Sequence, residues 1–109
     1  MAIKQVQLIA PTALPAAVAT QLTVPVNTTY RIGRAGFSNP TAGAVAVTAY
    51  LVAAAGAPGA GNQVIDGQVV AAGSTYESPE LAGLVMPAGS TLQCFGLAVV
   101  LYASGVSIQ

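Results

Sequence analysis

Thr28-Thr-Tyr-Arg-Ile-Gly-Arg-Ala-Gly-Phe37, Ser38-Asn-Pro-Thr-Ala-Gly43 and Ala44-Val-Ala-Val-Thr-Ala-Tyr-Leu-Val52 follow one another and decide the fold class. In the last of these, Val45, Val47, Ala49 and Leu51 alternate with small or polar residues, the period of two that lines one face of a strand. Its alanines would also suit a helix, but β-branched Val and Thr favour extended backbone, so it reads as a strand. Asn39-Pro40 starts a turn, and Gly43 permits φ > 0 on exit. Thr28–Phe37 and Ala44–Val52 are therefore expected to form a hairpin of adjacent strands. Gly33 and Gly36 weaken the first as a flat strand and predict a bulge, or a close approach by another backbone, a second chain being one candidate.

Outward from this region, short runs rich in Val, Ile, Thr and Tyr recur between Gly, Pro, Asn and Ser, and helical periodicity is scarce. Strands are expected near Ile3–Ile9, Thr20–Val24, Gln63–Ile65, Gln68–Val70, Leu81–Val85, Thr91–Phe95, Leu97–Tyr102 and Val106–Ile108, besides the two above. The architecture this predicts is all-β: an antiparallel β-sandwich, jelly-roll-like, spanning residues 20–109, with residues 1–19 as an extended N-terminal arm or edge strand. Gly56-Ala-Pro-Gly-Ala-Gly61 reads as a flexible surface loop and a candidate contact site. Val24-Pro-Val-Asn-Thr-Thr-Tyr30 is echoed by Met86-Pro-Ala-Gly-Ser-Thr-Leu92, and Ala72-Gly-Ser-Thr-Tyr76 repeats the second half. Pro ends one strand, Asn or Gly takes the left-handed turn position, and Thr starts the next strand, so the echo predicts similar sheet corners.

Over 109 residues, 54% are hydrophobic and only 6% charged, with Lys4, Arg31 and Arg34 balancing Asp66, Glu77 and Glu80. Ordinary soluble domains carry about 25% charge, so this surface invites association, with Ser, Thr, Gln and Asn as the alternative source of solubility. Three basic residues cannot build a phosphate-binding footprint, which argues against nucleic acid and against an anionic membrane surface. Leu8–Ala19 mimics a signal peptide, but Pro11 and Pro15 would break its helical region and only Lys4 precedes it. The longest apolar run, Ala44–Ala55, contains Thr48 and is too short for a membrane span. Cys94, the single cysteine, reads as a small buried hydrophobe.

The chain has no histidine, which removes the commonest general base and metal ligand. Glu77 and Glu80 flank Ser78-Pro79, which reads as a turn, and are expected to be solvated loop charges rather than a glycosidase pair. With no Asp-rich loop and no Cys or His cluster, no metal, cofactor or catalytic residue is expected, and the chain is not expected to be an enzyme. The glycine-rich loop lacks the Gly-Lys-Ser/Thr ending of a phosphate loop. Arg31 and Arg34 have a sharper reading as anchors for acidic groups on a partner, with Tyr30 and Phe37 as interface aromatics. Three residues apart on a strand, the arginines are expected on opposite faces, one of them pairing internally with Asp66 or Glu77. Tyr30, Tyr50, Tyr76 and Tyr102 could form a sugar-stacking platform, but without Trp they read as core or interface side chains.

Leu22-Thr-Val-Pro-Val-Asn-Thr-Thr-Tyr-Arg-Ile32, then Asn39 and Val45–Leu51, resembles a group of short tailed-phage virion proteins. Leu84-Val-Met-Pro-Ala-Gly-Ser-Thr-Leu92 and Ala98-Val-Val-Leu-Tyr-Ala-Ser-Gly-Val-Ser-Ile108 extend the resemblance over most of the chain past Thr20. It implies a β-sandwich attached to a capsid or tail, with no catalytic residues. The expectation is a capsid decoration (cement) protein, made in the host cytoplasm and located on the virion surface. Its expected partners are the major capsid protein and copies of itself in a homo-oligomer, with residues 1–19 lying along a neighbour. The alternative is a tail, fibre or carbohydrate-binding module that recognises a host surface.

Overall fold

The computed structural model describes residues 2–109 and contains nine strands: β1 (Ile3–Ala13), β2 (Ala19–Thr23), β3 (Thr29–Ser38), β4 (Val45–Val52), β5 (Gln63–Val70), β6 (Thr75–Glu77), β7 (Val85–Met86), β8 (Thr91–Phe95) and β9 (Val100–Ile108). The one helical element is a 3-10 turn at Ala60–Asn62, and no helix among the described residues could cross a membrane. All pairing is antiparallel. Sheet A runs β1-β9-β3-β6, with β7 also on β3, and sheet B runs β2-β8-β4-β5. This is the strand order of an eight-stranded jelly roll in which β6 and β7 share one strand's place.

The expected hairpin is corrected: β3 pairs with β9, β6 and β7 in sheet A, whereas β4 pairs with β8 and β5 in sheet B. The Ser-Asn-Pro-Thr-Ala-Gly segment turns the chain from one sheet to the other. Both strands still bury one face each, which a crossover achieves as well as a hairpin would. Val47, Ala49, Ile32, Ala35 and Phe37 lie between the sheets with Leu22, Leu92, Leu101 and Cys94. Several strand boundaries also change. Gln63–Ile65 and Gln68–Val70 belong to one strand bulged near Gly67, whose φ is +62°. β9 runs unbroken from Val100 through Gly105. Leu81–Leu84 is a turn in which Gly83 has φ +81°, leaving only Val85–Met86 as strand.

The corner echo has a structural basis that extends beyond the repeated residues. Gly89 (φ +83°) donates its N–H to the Val24 carbonyl, and the Val24 N–H donates to the carbonyl of Ser90. The same exchange links Gly73 and Ser74 to Asn39, Gly83 and Leu84 to Ile32, and Ala98 and Val99 to Leu14. In every case the middle residue is left-handed, and the turn closes from the residue after it back by three, as in Ser90 N–H to Pro87 carbonyl. Four turns thus dock on four successive points of the chain's first half. Three of these contacts, at Leu14, Val24 and Asn39, staple one sheet-crossing connection to another, satisfying backbone groups that leave the ladders there.

Residues 3–13 form the edge strand of sheet A, and Ile9 and Leu14 are buried in the core. Of the two expectations for residues 1–19, arm or edge strand, residues 3–13 form the edge strand, packed on their own sandwich. The accessible surface, 5467 Å², matches the roughly 5500 Å² of a compact monomer of 10.7 kDa.

Candidate functional site

The sequence-selected residues meet on the outer face of sheet A, and β3 decides how. Ile32 pairs with Gly105 and Arg34 with Ser104, leaving Gly33 as an extra, bulged residue. Ile32 and Ala35 both face the core, so Arg31 and Arg34 both project outward. The expectation of opposite faces is corrected: the bulge shifts the alternation by one residue between the two arginines. Gly33 was read as a place where another backbone approaches, and the neighbour is this chain's own β9. A Cβ on Gly105 would overlap the Arg31 carbonyl and reach within 2.9 Å of the Gly33 nitrogen.

Arg34 is the arginine that pairs internally. Its Nη2 donates to Glu77 Oε1 at 2.7 Å and its Nε to Oε2 at 3.3 Å, a two-pronged pair. The Tyr102 hydroxyl donates to Glu77 Oε1 at 2.9 Å. β6 sets Glu77 opposite Gly36, and the Tyr102 ring lies where a Cβ of Gly36 would be, so a side chain there would have to displace the ring. The hydrogen bonds from Arg34 and then Tyr102 hold the Glu77 carboxyl below the ordinary carboxylate range, against a smaller opposing effect of burial. The same pair raises the Arg34 guanidinium. Burial, then the bond to Glu77, raises the Tyr102 hydroxyl.

Glu80 takes different partners. Burial works against its ionisation, but hydrogen bonds from the Tyr76 hydroxyl (2.7 Å), its own backbone and the Ser78 hydroxyl (3.2 Å) outweigh that and lower its pKa. Tyr76 is pushed up to about 12, mainly by the same hydrogen bond. The two glutamates are thus held by side-chain partners of their own, rather than solvated free charges, and do not share a cleft. Asp66 accepts from Gln63 Nε2 at 3.3 Å and meets neither arginine.

Arg31 is left exposed. Among the described residues Arg34–Glu77 is the one ion pair, so the Arg31 charge is unpaired. Val106 on β9 and Val85 on β7 lie opposite it on either side, and Ile108 and Ile3 occupy the next row, with Ile3 63% and Val85 53% exposed. A free guanidinium framed by apolar side chains can anchor a carboxylate whose surroundings then exclude water. Beside it runs a shallow, open groove across β1, β9 and β3, flanked by Gln5, Gln7, Arg34, Ser104 and Val106 over a floor at Gly33 and Gly105. It is too open to enclose a small molecule.

No protein-family model, curated protein or solved structure matches the chain. The reading of the site therefore stands on geometry.

Of the four candidate contacts, Arg31 and Arg34 lie on this face, Arg34 already paired. Phe37 is corrected: it is 0% exposed, inside the sandwich, and cannot touch a partner. Tyr30 is half-buried against the core. The four tyrosines do not form one platform, since Tyr30 and Tyr76 pack on the core, Tyr102 lies outside sheet A over Gly36, and Tyr50 is on sheet B. Cys94 is buried, and burial pushes its thiol up to about 12. The Gly56–Gly61 loop is exposed and tied by Asn62, whose side chain accepts from Gly59 N–H and donates to the Ala57 carbonyl. Sequence reading missed the part of Tyr102, although Gly36 on the neighbouring strand was its signal.

Proposed function

We propose that the protein is a capsid decoration (cement) protein of a tailed bacteriophage, a structural component that binds the outside of the head and reinforces it. The observation that carries this reading is the outer face of sheet A, where unpaired Arg31 stands among Val85, Val106, Ile108 and Ile3 on a nearly charge-free protein. Such a face suits a broad protein surface, with Arg31 reaching a carboxylate of the major capsid protein. Apolar area buried there contributes about 25 cal/mol per Å² before association costs, and repetition over the head turns a weak contact into avidity. Jelly rolls serve both capsids and lectins, so the fold itself does not choose between partners.

A second reading, a tail, fibre or carbohydrate-binding module, draws on the groove, where Gln5, Gln7 and Ser104 offer donors and acceptors suited to sugar hydroxyls. The separated tyrosines weigh against it, because stacking platforms need coplanar aromatics.

Electron microscopy of purified particles with and without the protein, together with its mass in solution, tests the proposal. Regular added density on the head, weakened by Arg31→Glu, is expected. A protein that binds no particle but binds glycans would overturn it.

A further inference from the structure

The bulge in β5 sets one pair of residues outside the regular ladder of sheet B. Ile65 pairs with Ala49 and Gln68 with Val47, so Asp66 and Gly67 together face Thr48 alone. β5 is an edge strand, and both residues are exposed. The Gly67 N–H donates to a side chain, the buried Thr48 hydroxyl, at 3.2 Å. The Asp66 carboxyl accepts from Gln63 Nε2 at 3.3 Å. Asp66 is the one aspartate of the chain, and Asn27, Asn39 and Asn62 precede Thr28, Pro40 and Gln63. Asp66-Gly67 is therefore the single place where a short acid or amide side chain is followed by glycine.

We propose that Asp66-Gly67 is a site of spontaneous covalent modification, which isomerises through a succinimide to isoaspartate at a rate restrained by the Thr48 hydroxyl. The Gly67 nitrogen attacks Asp66 Cγ, an N–C bond forms, and the amide proton leaves with the carboxyl hydroxyl as water. Water then opens the cyclic imide. Cleavage at Cγ restores aspartate, whereas cleavage at the original main-chain carbonyl leaves the chain running through Cβ and Cγ, with charge and oxidation state unchanged. An unbroken strand obstructs this chemistry, because the ladder fixes the nitrogen and the Cβ of the following residue crowds it. Here the bulge lifts the pair from the ladder, and Gly67, in the left-handed region at φ +62°, has no Cβ. The hydrogen bond to Thr48 then holds the nitrogen back from the adjacent carboxyl. Each isoaspartate adds a CH2 to the backbone of β5, which puts Gln68–Val70 out of step with Val45–Val47.

This chemistry is independent of any capsid partner, and its test needs only the full chain in solution. The native chain, Thr48→Val, Thr48→Ser and Asp66→Glu are incubated in warm, mildly acidic buffer, with matched melting curves to show that each is folded. A native sample is held in denaturant in parallel. Peptide mapping with electron-transfer fragmentation separates isoaspartate from aspartate at Asp66 over time. The folded native chain is expected to accumulate isoaspartate there, more slowly than the denatured chain. Thr48→Val should convert about three- to tenfold faster than the native chain, the worth of one hydrogen bond to the attacking nitrogen. Thr48→Ser keeps the hydroxyl and should stay near the native rate, and Asp66→Glu should stay unmodified, because its larger ring closes far more slowly. A folded native chain free of isoaspartate while the denatured chain converts would overturn the proposal. So would equal rates for Thr48→Val and the native chain, or a Thr48→Ser chain that converts as fast as Thr48→Val. Failure to bind particles would leave these results untouched.

Discussion

The side-chain amide of Asn39 donates to the carbonyl of Val70 at 2.9 Å, fastening the β3–β4 crossover to the end of β5. The same amide donates to the Gly43 carbonyl, while Asn39 Oδ1 accepts from both the backbone and the hydroxyl of Thr41. Asn39 is 1% exposed and its bond to the Val70 carbonyl is buried, whereas the Gly43 carbonyl also accepts from the Thr41 hydroxyl. Asn39→Ala is expected to destabilise the fold by about 1–3 kcal/mol, chiefly the cost of leaving the buried Val70 carbonyl without this donor. Urea unfolding measures this, and a loss under 1 kcal/mol would show that water replaces the amide.

The Arg34–Glu77–Tyr102 cluster predicts a pH dependence whose sign follows from Glu77. Its carboxyl is held below the ordinary range, so the folded state favours the charged form. The contribution is present in full above the unfolded carboxylate pKa and is lost as pH falls through the lowered folded value. Glu77→Gln removes the ion pair, so its melting temperature should lie below the native one at neutral pH and converge with it on acidification. Salt should narrow the gap too, because the pair is solvent-exposed. Equal gaps at neutral and strongly acid pH would contradict this assignment.

Edge strand β1 predicts an aggregation-prone variant. Lys4 lies opposite the buried Ser107, so it stands on the core side of an open edge while remaining exposed. A charge in that position obstructs the addition of another strand. Lys4→Val leaves Ile3–Ile9 as an edge with no charge, and β-rich aggregates should form faster on incubation. Thioflavin fluorescence against time reads the difference, and unchanged kinetics would mean that the bulges and Pro11 alone guard the edge.

Local chemistry was legible where one residue type solves one local problem. The alternation of Val45, Val47, Ala49 and Leu51 marked their common face, and Asn27 and Gly89 were assigned left-handed turn positions, which they occupy at φ +57° and +83°. Pairing partners were not legible, because Asn39-Pro40 through Gly43 serves a crossover as well as a hairpin. A single bulged residue, Gly33, was enough to move Arg34 onto the face of Arg31, since a period of two carries no record of a shift. Phe37 sits three residues from Arg34 and, unlike it, faces the core. Leu81 and Leu84 resemble strand residues because a turn packed on the core needs apolar side chains too.

The four docked turns yield the last prediction, since three place glycine in the left-handed position and the fourth places Ala98 there at φ +63°. A left-handed alanine costs about 1 kcal/mol that glycine avoids, partly offset by the greater freedom of glycine in the unfolded chain. Ala98→Gly should therefore stabilise by a few tenths of a kcal/mol. Gly73→Ala, where a Cβ meets nothing within 4 Å, should destabilise by a similar few tenths of a kcal/mol, the left-handed strain less the unfolded-state offset. Gly89→Ala should cost more, because its Cβ would also come within 2.9 Å of the Ala54 Cβ. Denaturant midpoints should thus rank Ala98→Gly above the native chain, then Gly73→Ala, then Gly89→Ala. If Ala98→Gly proved the less stable, the Ala98 methyl would have to contribute packing that exceeds the relief of its backbone.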